Sequence, residues 1–183
     1  MDRHAVIDLF HHSTQRLRHF ETASEEVLAS TYAPGKWPVR VLINHVADAD
    51  LALYLRFLKC VAGERAIQPF DENAWVRELE EERRPVSVSI AQSEAIRRGF
   101  VHYLESLSDE KLARTAVHPE RGELSALQLA RMAAMHCEHH LRQAECARDG
   151  RQWTPEMAVR HPGRGARQKR SSTRGTKTRG HEG

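Results

Sequence analysis

Met135-His136-Cys137-Glu138-His139-His140 lies near the end of the last long helical pattern in a chain of 183 residues. On a helix, His136 and His140 are one turn apart and face the same way, so both imidazoles can grip one metal ion. The spacing alone is weak evidence, because twelve histidines in 183 residues supply about one such pair by chance. Position strengthens it. The pair continues an inner stripe of Leu129, Met132, Ala133 and Ala144, and His45 sits on the apolar stripe of an earlier helix with Val41, Ala49 and Ala52. Three imidazoles in an aliphatic core would each need a hydrogen-bond partner, and one shared ion satisfies them together. His139 projects about 100° away from His140 on a helix and is expected nearer the rim. Three histidine ligands leave a coordination position open for water or substrate, the pattern of a catalytic zinc-type site. Imidazole suits zinc or nickel, and the sequence does not choose between them.

Working outward, the helix that carries this pair is expected from Leu124 to about Asp149. Ahead of it, Thr115 to Glu123 is turn-rich, and Asp109 to Leu112 reads as a short capped helix. A third long helix is expected from Ser87 to Leu107, with Val88, Ala91, Ala95, Phe100, Val101 and Leu104 facing inward. The helix of His45 opens at Trp37-Pro38, where proline is tolerated in a first turn, and runs to Ala62. The first helix is expected from Arg3 to Thr31, on the recurrence of Val6, Phe10, Leu17, Phe20, Val27 and Leu28. His11, His12 and His19 lie there as surface or boundary residues. Between the second and third helices, Ile67 to Trp75 is long enough to be a crossover over one end of a bundle, with the charged run Glu78 to Arg84 as a solvated face. Four amphipathic patterns without a convincing strand imply an all-α four-helix bundle spanning residues 1–150.

Charge separates the remainder from this domain. Nine of the 28 basic and two of the 25 acidic residues lie from Arg151 onward, leaving 19 basic against 23 acidic before it. Residues 151–183 therefore read as a basic tail, and its glycine, arginine, serine and threonine content implies disorder. The folded part has no electrostatic footprint for nucleic acid. No apolar run reaches the roughly 18 residues of a membrane span, and the N-terminus does not read as a signal peptide, so a cytoplasmic protein is expected. Cys60, Cys137 and Cys146 have no disulfide-framework spacing and fit reduced, buried thiols.

Four blocks stand out together: Gly35 to Val39, Asn44-His45-Val46-Ala47-Asp48, the crossover Pro69 to Trp75, and His118 to Gly122 followed by His136 to His140. In their order and spacing they resemble the DinB/YfiT-like superfamily of metal-dependent helical bundles. The resemblance implies His45, His136 and His140 as ligands of a divalent metal and a homodimer acting on a small-molecule substrate. It also implies either thiol S-transfer, joining a low-molecular-weight thiol such as bacillithiol to an electrophile, or a hydrolase role. Ala134-Met135 departs from the aromatic residues of the YfiT-like branch just before the second ligand, which alters the pocket wall. Asp48, one turn after His45, is a candidate for orienting a ligand or a bound water. Trp37 and Trp75 are candidates for the pocket mouth, Asn44 and Asp71 for polar contacts, and Cys137 for a buried thiol. The rival reading is a non-enzymatic, metal-stabilised helical module whose basic tail makes weak, salt-sensitive contacts with nucleic acid or another acidic partner.

Overall fold

In the computed structural model, residues 1–158 are described; the basic segment after them, read above as part of the tail, lies outside the described residues. In chain order the helices are α1 (Arg3–Arg18), α2 (Glu25–Ala29), α3 (Val39–Ala62), α4 (Glu72–Glu78), α5 (Val86–Ser106), α6 (Asp109–Ala113) and α7 (Ala126–Arg148). The long helices α1, α3, α5 and α7 form a four-helix bundle. Both α1 and α3 pack chiefly on α5 and α7, so the members of each of those pairs stand diagonally across the bundle. No helix among the described residues is long and apolar enough to cross a membrane.

Local chemistry sets the helix ends. The Asp2 carboxylate accepts the Ala5 N–H at 2.9 Å to open α1, and Ser125 with Gln128 forms a reciprocal capping box on α7. Gly63, at φ 95°, supplies the left-handed residue that ends α3. The expected continuous helix from Arg3 to Thr31 is instead two. Ser24 accepts the Val27 N–H at 3.3 Å, and Glu25 and Glu26 fill the first turn of α2, so a new helix starts there. Phe20 is fully buried in the intervening turn, and its helical spacing to Val27 hid the break.

A second correction concerns the turn-rich stretch before α7. It is an antiparallel hairpin of β1 (Thr115–His118) and β2 (Gly122–Ser125), with Thr115 opposite Ser125 and His118 opposite Gly122. Gly122, at φ 73°, closes its turn. Strands of four residues are too short for a two-residue alternation to stand out in sequence.

The core is divided. One apolar cluster holds Val6, Phe10, Phe57, Phe100, Leu104 and Leu129, and another holds Leu17, Phe20, Ile43, Ile90 and Leu141. Between them every long helix contributes a polar residue: Ser13, Asp50, Ser93 with Arg97, and Cys137, each at most 2% exposed. Arg97 donates from Nε to Asp50 at 2.8 Å and from Nη2 to the Cys137 sulfur at 2.7 Å. This layer corrects the predicted inner face of α5. Val88 is 55% exposed, and Ala91 and Ala95 also face outward, whereas Ser89, Ile90, Ser93 and Arg97 point into the bundle.

Outside the core, Arg16 ties α1 to α7 with a two-pronged bond to Glu145 (2.8 and 2.6 Å) and a third contact to Glu138 at 2.6 Å.

Removing one partner of a buried ion pair strands the other without solvent. Arg97→Ala is expected to lower unfolding free energy by about 3–5 kcal/mol in urea titrations, and a paired Asp50→Leu, Arg97→Met replacement to recover most of the loss.

Candidate metal centre

The three predicted histidines meet at one point. His45 comes from the second turn of α3, in a stretch where every residue from Val41 to Asp50 is buried, and His136 and His140 come from successive turns of α7. One ligand nitrogen of each lies within 4.8 Å of those of the others. Their ring centroids are 5.3, 4.9 and 4.6 Å apart, and all three pairs meet edge-on. Trp37, in the turn that leads into α3, covers the group with its ring centroid 5.0 Å from that of His45 and 6.3 Å from that of His140.

Protonation favours ligation. Burial pushes His45 down to about 4, partly opposed by Asp48, and pushes His140 down to about 3, with His45 and His139 acting in the same direction. Both rings are therefore neutral at pH 7 and hold a free lone pair. His140 Nδ1 donates to the Gln143 side-chain oxygen at 2.8 Å, and the Gln143 amide donates to the Tyr32 hydroxyl at 3.2 Å. This pins the proton on Nδ1 and leaves Nε2 to bind. His45 Nε2 is a buried nitrogen without a hydrogen-bond partner among the described residues, an arrangement that an ion bound there would satisfy. The donor set fits zinc or nickel.

The crossover brings a carboxylate to this point. Asp71 caps α4 by accepting the Ala74 N–H at 3.0 Å, which sets Glu72 in the first turn. The Glu72 oxygens lie 3.8 Å from His45 Nε2 and 3.9 Å from His136 Nε2, and burial raises its pKa above the ordinary carboxylate value. Sequence reasoning quoted this block without singling out Glu72. An acidic residue next to a helix cap usually serves the helix dipole, so sequence carried no distinguishing signal. Gln143 was missed as well, although it stands three residues after His140, the spacing at which helical side chains meet.

Other sequence candidates hold the crossover in place. The Asn44 side-chain amide donates to the backbone oxygens of Glu81 and Arg84 at 2.6 and 2.9 Å. Asp48 receives a two-pronged bond from Arg84 at 2.9 and 3.0 Å, and Arg84 also donates to the Asn44 carbonyl at 2.7 Å. The structure thus places Asp48 in a clamp beside His45, with no bond to a ligand imidazole among the hydrogen bonds described. Trp75 packs on Phe70 at 5.0 Å rather than on the histidines. Cys137 points into the polar layer, where burial pushes its thiol up to about 11 despite Arg97. His139 is half-buried against Trp153, with ring centroids 5.0 Å apart.

A four-helix bundle with a three-histidine cluster beside a crossover helix defines the class of molecule. The chain belongs to the DinB superfamily, whose family model matches residues 9–144. A "Putative metal-dependent hydrolase" of Oceanobacillus iheyensis is 34% identical over 119 residues, which are 64% of this chain and 69% of that protein. A protein of the same description from Bacillus cereus is 32% identical over 136 residues, covering 74% and 76% of the two chains. Among solved structures, YfiT from Bacillus subtilis, described as "a probable metal-dependent hydrolase with an unusual four-helix bundle topology", superposes with a TM-score of 0.73. It is 24% identical over 81% of this chain and 87% of its own. The mycothiol-dependent maleylpyruvate isomerase superposes at 0.62 with 13% identity, over 79% and 61% of the two chains. At these identities the two structures establish the fold alone.

Two outcomes test the support around the centre. Gln143→Ala is expected to weaken zinc binding about 10- to 100-fold in a competitive chelator titration while leaving helicity unchanged. Glu81 is buried beside Asp48, and burial followed by that carboxylate pushes it up from 4.5 to about 8. A carboxyl raised on folding is favoured when protonated, so ionising it costs stability as pH rises from 4.5 to about 8. Glu81→Gln should therefore raise Tm at pH 8–9 by roughly 2–4 °C and have little effect below pH 4.5.

Proposed function

We propose that this chain is a metal-dependent enzyme that uses His45, His136 and His140 to hold a zinc or nickel ion and catalyses thiol transfer or hydrolysis on small electrophiles. The observation that carries the reading is the convergence of three imidazoles, two of them held neutral by burial, on one point that a carboxylate also reaches. The relatives' names and the family membership support the same reading.

A divalent ion in this setting supplies positive charge that lowers the pKa of an entering thiol or water. The protein's own groups do the rest. His45 and His140 present neutral nitrogens, and Gln143 fixes the tautomer of His140. Glu72, facing both His45 and His136, is placed to take the proton that the nucleophile gives up. Trp37 packs on His45 and His140 and shields that side of the centre from water, which strengthens the electrostatic contacts there.

Purified protein should carry about one metal per chain by mass spectrometry, and His45→Ala and His140→Ala should each lose it with helicity retained. Stoichiometric metal in both variants would overturn the proposal. Turnover is read with 1-chloro-2,4-dinitrobenzene and a panel of small thiols for transfer, and with p-nitrophenyl acetate for hydrolysis. Glu72→Gln should keep the metal and lower kcat by about 100-fold or more; an unchanged rate removes Glu72 from proton transfer.

A further inference from the structure

Beside the histidine cluster, a cavity of about 150 Å³ runs from Glu72 and His136 to the β1–β2 hairpin. Its wall also carries Arg56 from α3 and His118 and Arg121 from the hairpin. Both guanidiniums differ from most arginines of the bundle. Arg3, Arg16, Arg18, Arg40, Arg84 and Arg97 each meet a carboxylate, whereas Arg56 and Arg121 form no ion pair among the described residues. Arg56 lies 5.1 Å from the Phe70 ring and, among the described residues, donates only to the Gln68 carbonyl, at 3.0 Å. Burial pushes its pKa down, and the Glu72 and Glu120 carboxylates oppose that fall without reversing it.

His118 adds a third donor. Its Nδ1 accepts the Glu120 N–H at 3.2 Å, so in the neutral ring the proton sits on Nε2, which has no acceptor among the described residues. His118 is only 7% exposed and lines the cavity. Two acidic residues share the lining, Glu72, which also faces His45 and His136, and Glu120, exposed at the hairpin turn; both act on Arg56 through space, and neither forms an ion pair with it among the described residues.

We infer that Arg56, Arg121 and His118 form a carboxylate-binding subsite, so that the enzyme acts on small reactants whose carboxylate docks there while the reacting group reaches the histidine cluster. Two cations and one neutral donor match the planar, multiply accepting carboxylate, and the volume suits a reactant of only a few carbon atoms. The inference rests on the proposed function for what happens at the histidines, but the subsite itself is read from the cavity wall. The carboxylate can belong to the thiol or to the electrophile, and the two arms of the experiment separate these sources.

The full chain is loaded with cobalt, and thiolate binding is followed by its absorption band. In the first arm, 3-mercaptopropionate should bind about tenfold more tightly than 3-mercapto-1-propanol. In the second, succinate should bind by calorimetry about tenfold more tightly than succinamide. The double variant Arg56→Gln, Arg121→Gln should remove the preference with cobalt content unchanged. Arg121→Gln alone, at an exposed position, keeps the test available if the double variant does not fold. A preference in the first arm puts the carboxylate on the thiol, and one in the second arm alone puts it on the electrophile. Absence of both preferences, or their survival in the variants, overturns the subsite. Failure to take up cobalt counts against the proposed function instead, and the succinate arm on metal-free protein then decides the subsite by itself.

Discussion

Arg97 is a charged side chain in the middle of a bundle, 2% exposed, and it is held by Asp50 of α3 and Cys137 of α7, with a longer contact to Thr14 of α1. Apolar side chains tolerate sliding by a turn, because one leucine contact resembles the next. A guanidinium buried between two clusters does not, since any other register leaves it without its partners. The layer therefore fixes α3 and α7 against α5. Cys137 immediately follows His136, and Asp50 lies five residues after His45, so the same constraint aligns the histidines. Packing strength and site geometry thus have a common source.

The crossover is organised around His45 in a comparable way. Asn44 and Asp48 flank this residue on α3, and both hold the chain between Glu81 and Arg84. The segment that carries Glu72 is thereby tied to the helix whose histidine Glu72 faces. The crossover is thus anchored through Arg84 at one end, and at the other Glu72 faces the histidines. Hydrogen bonds to Asn44 satisfy backbone groups that a long connection would otherwise leave exposed or unpaired.

Sequence periodicity was most informative where helices bury ordinary apolar faces. The ends of α3 and α7, and the inward direction of His45, His136 and His140, all follow from stripes of aliphatic residues. It misled for α5, because Ser89, Ser93 and Arg97 face inward while Val88, Ala91 and Ala95 face out. Hydropathy carries no information about a buried cation whose partners lie on other helices. The hairpin was invisible for want of length, and the break after α1 because Phe20 preserved the rhythm. At the site, ligand-type residues could be recognised singly. The roles of Glu72, Gln143, Arg56 and Arg121 depend on neighbours that only the folded chain assembles.

The diagonal placement of α1 and α3 bears on the order in which the molecule can be made. Both rest on α5 and α7, and α7 ends at Arg148. A chain emerging from the ribosome holds α1 and α3 before either of their main partners exists, and the Arg16 fork must wait for Glu138 and Glu145. Local helices can form early, but the contacts that bury their apolar faces are long-range and arrive last. Until α5 and then α7 join them, the growing chain presents two amphipathic surfaces, and their burial is completed only when α7 arrives.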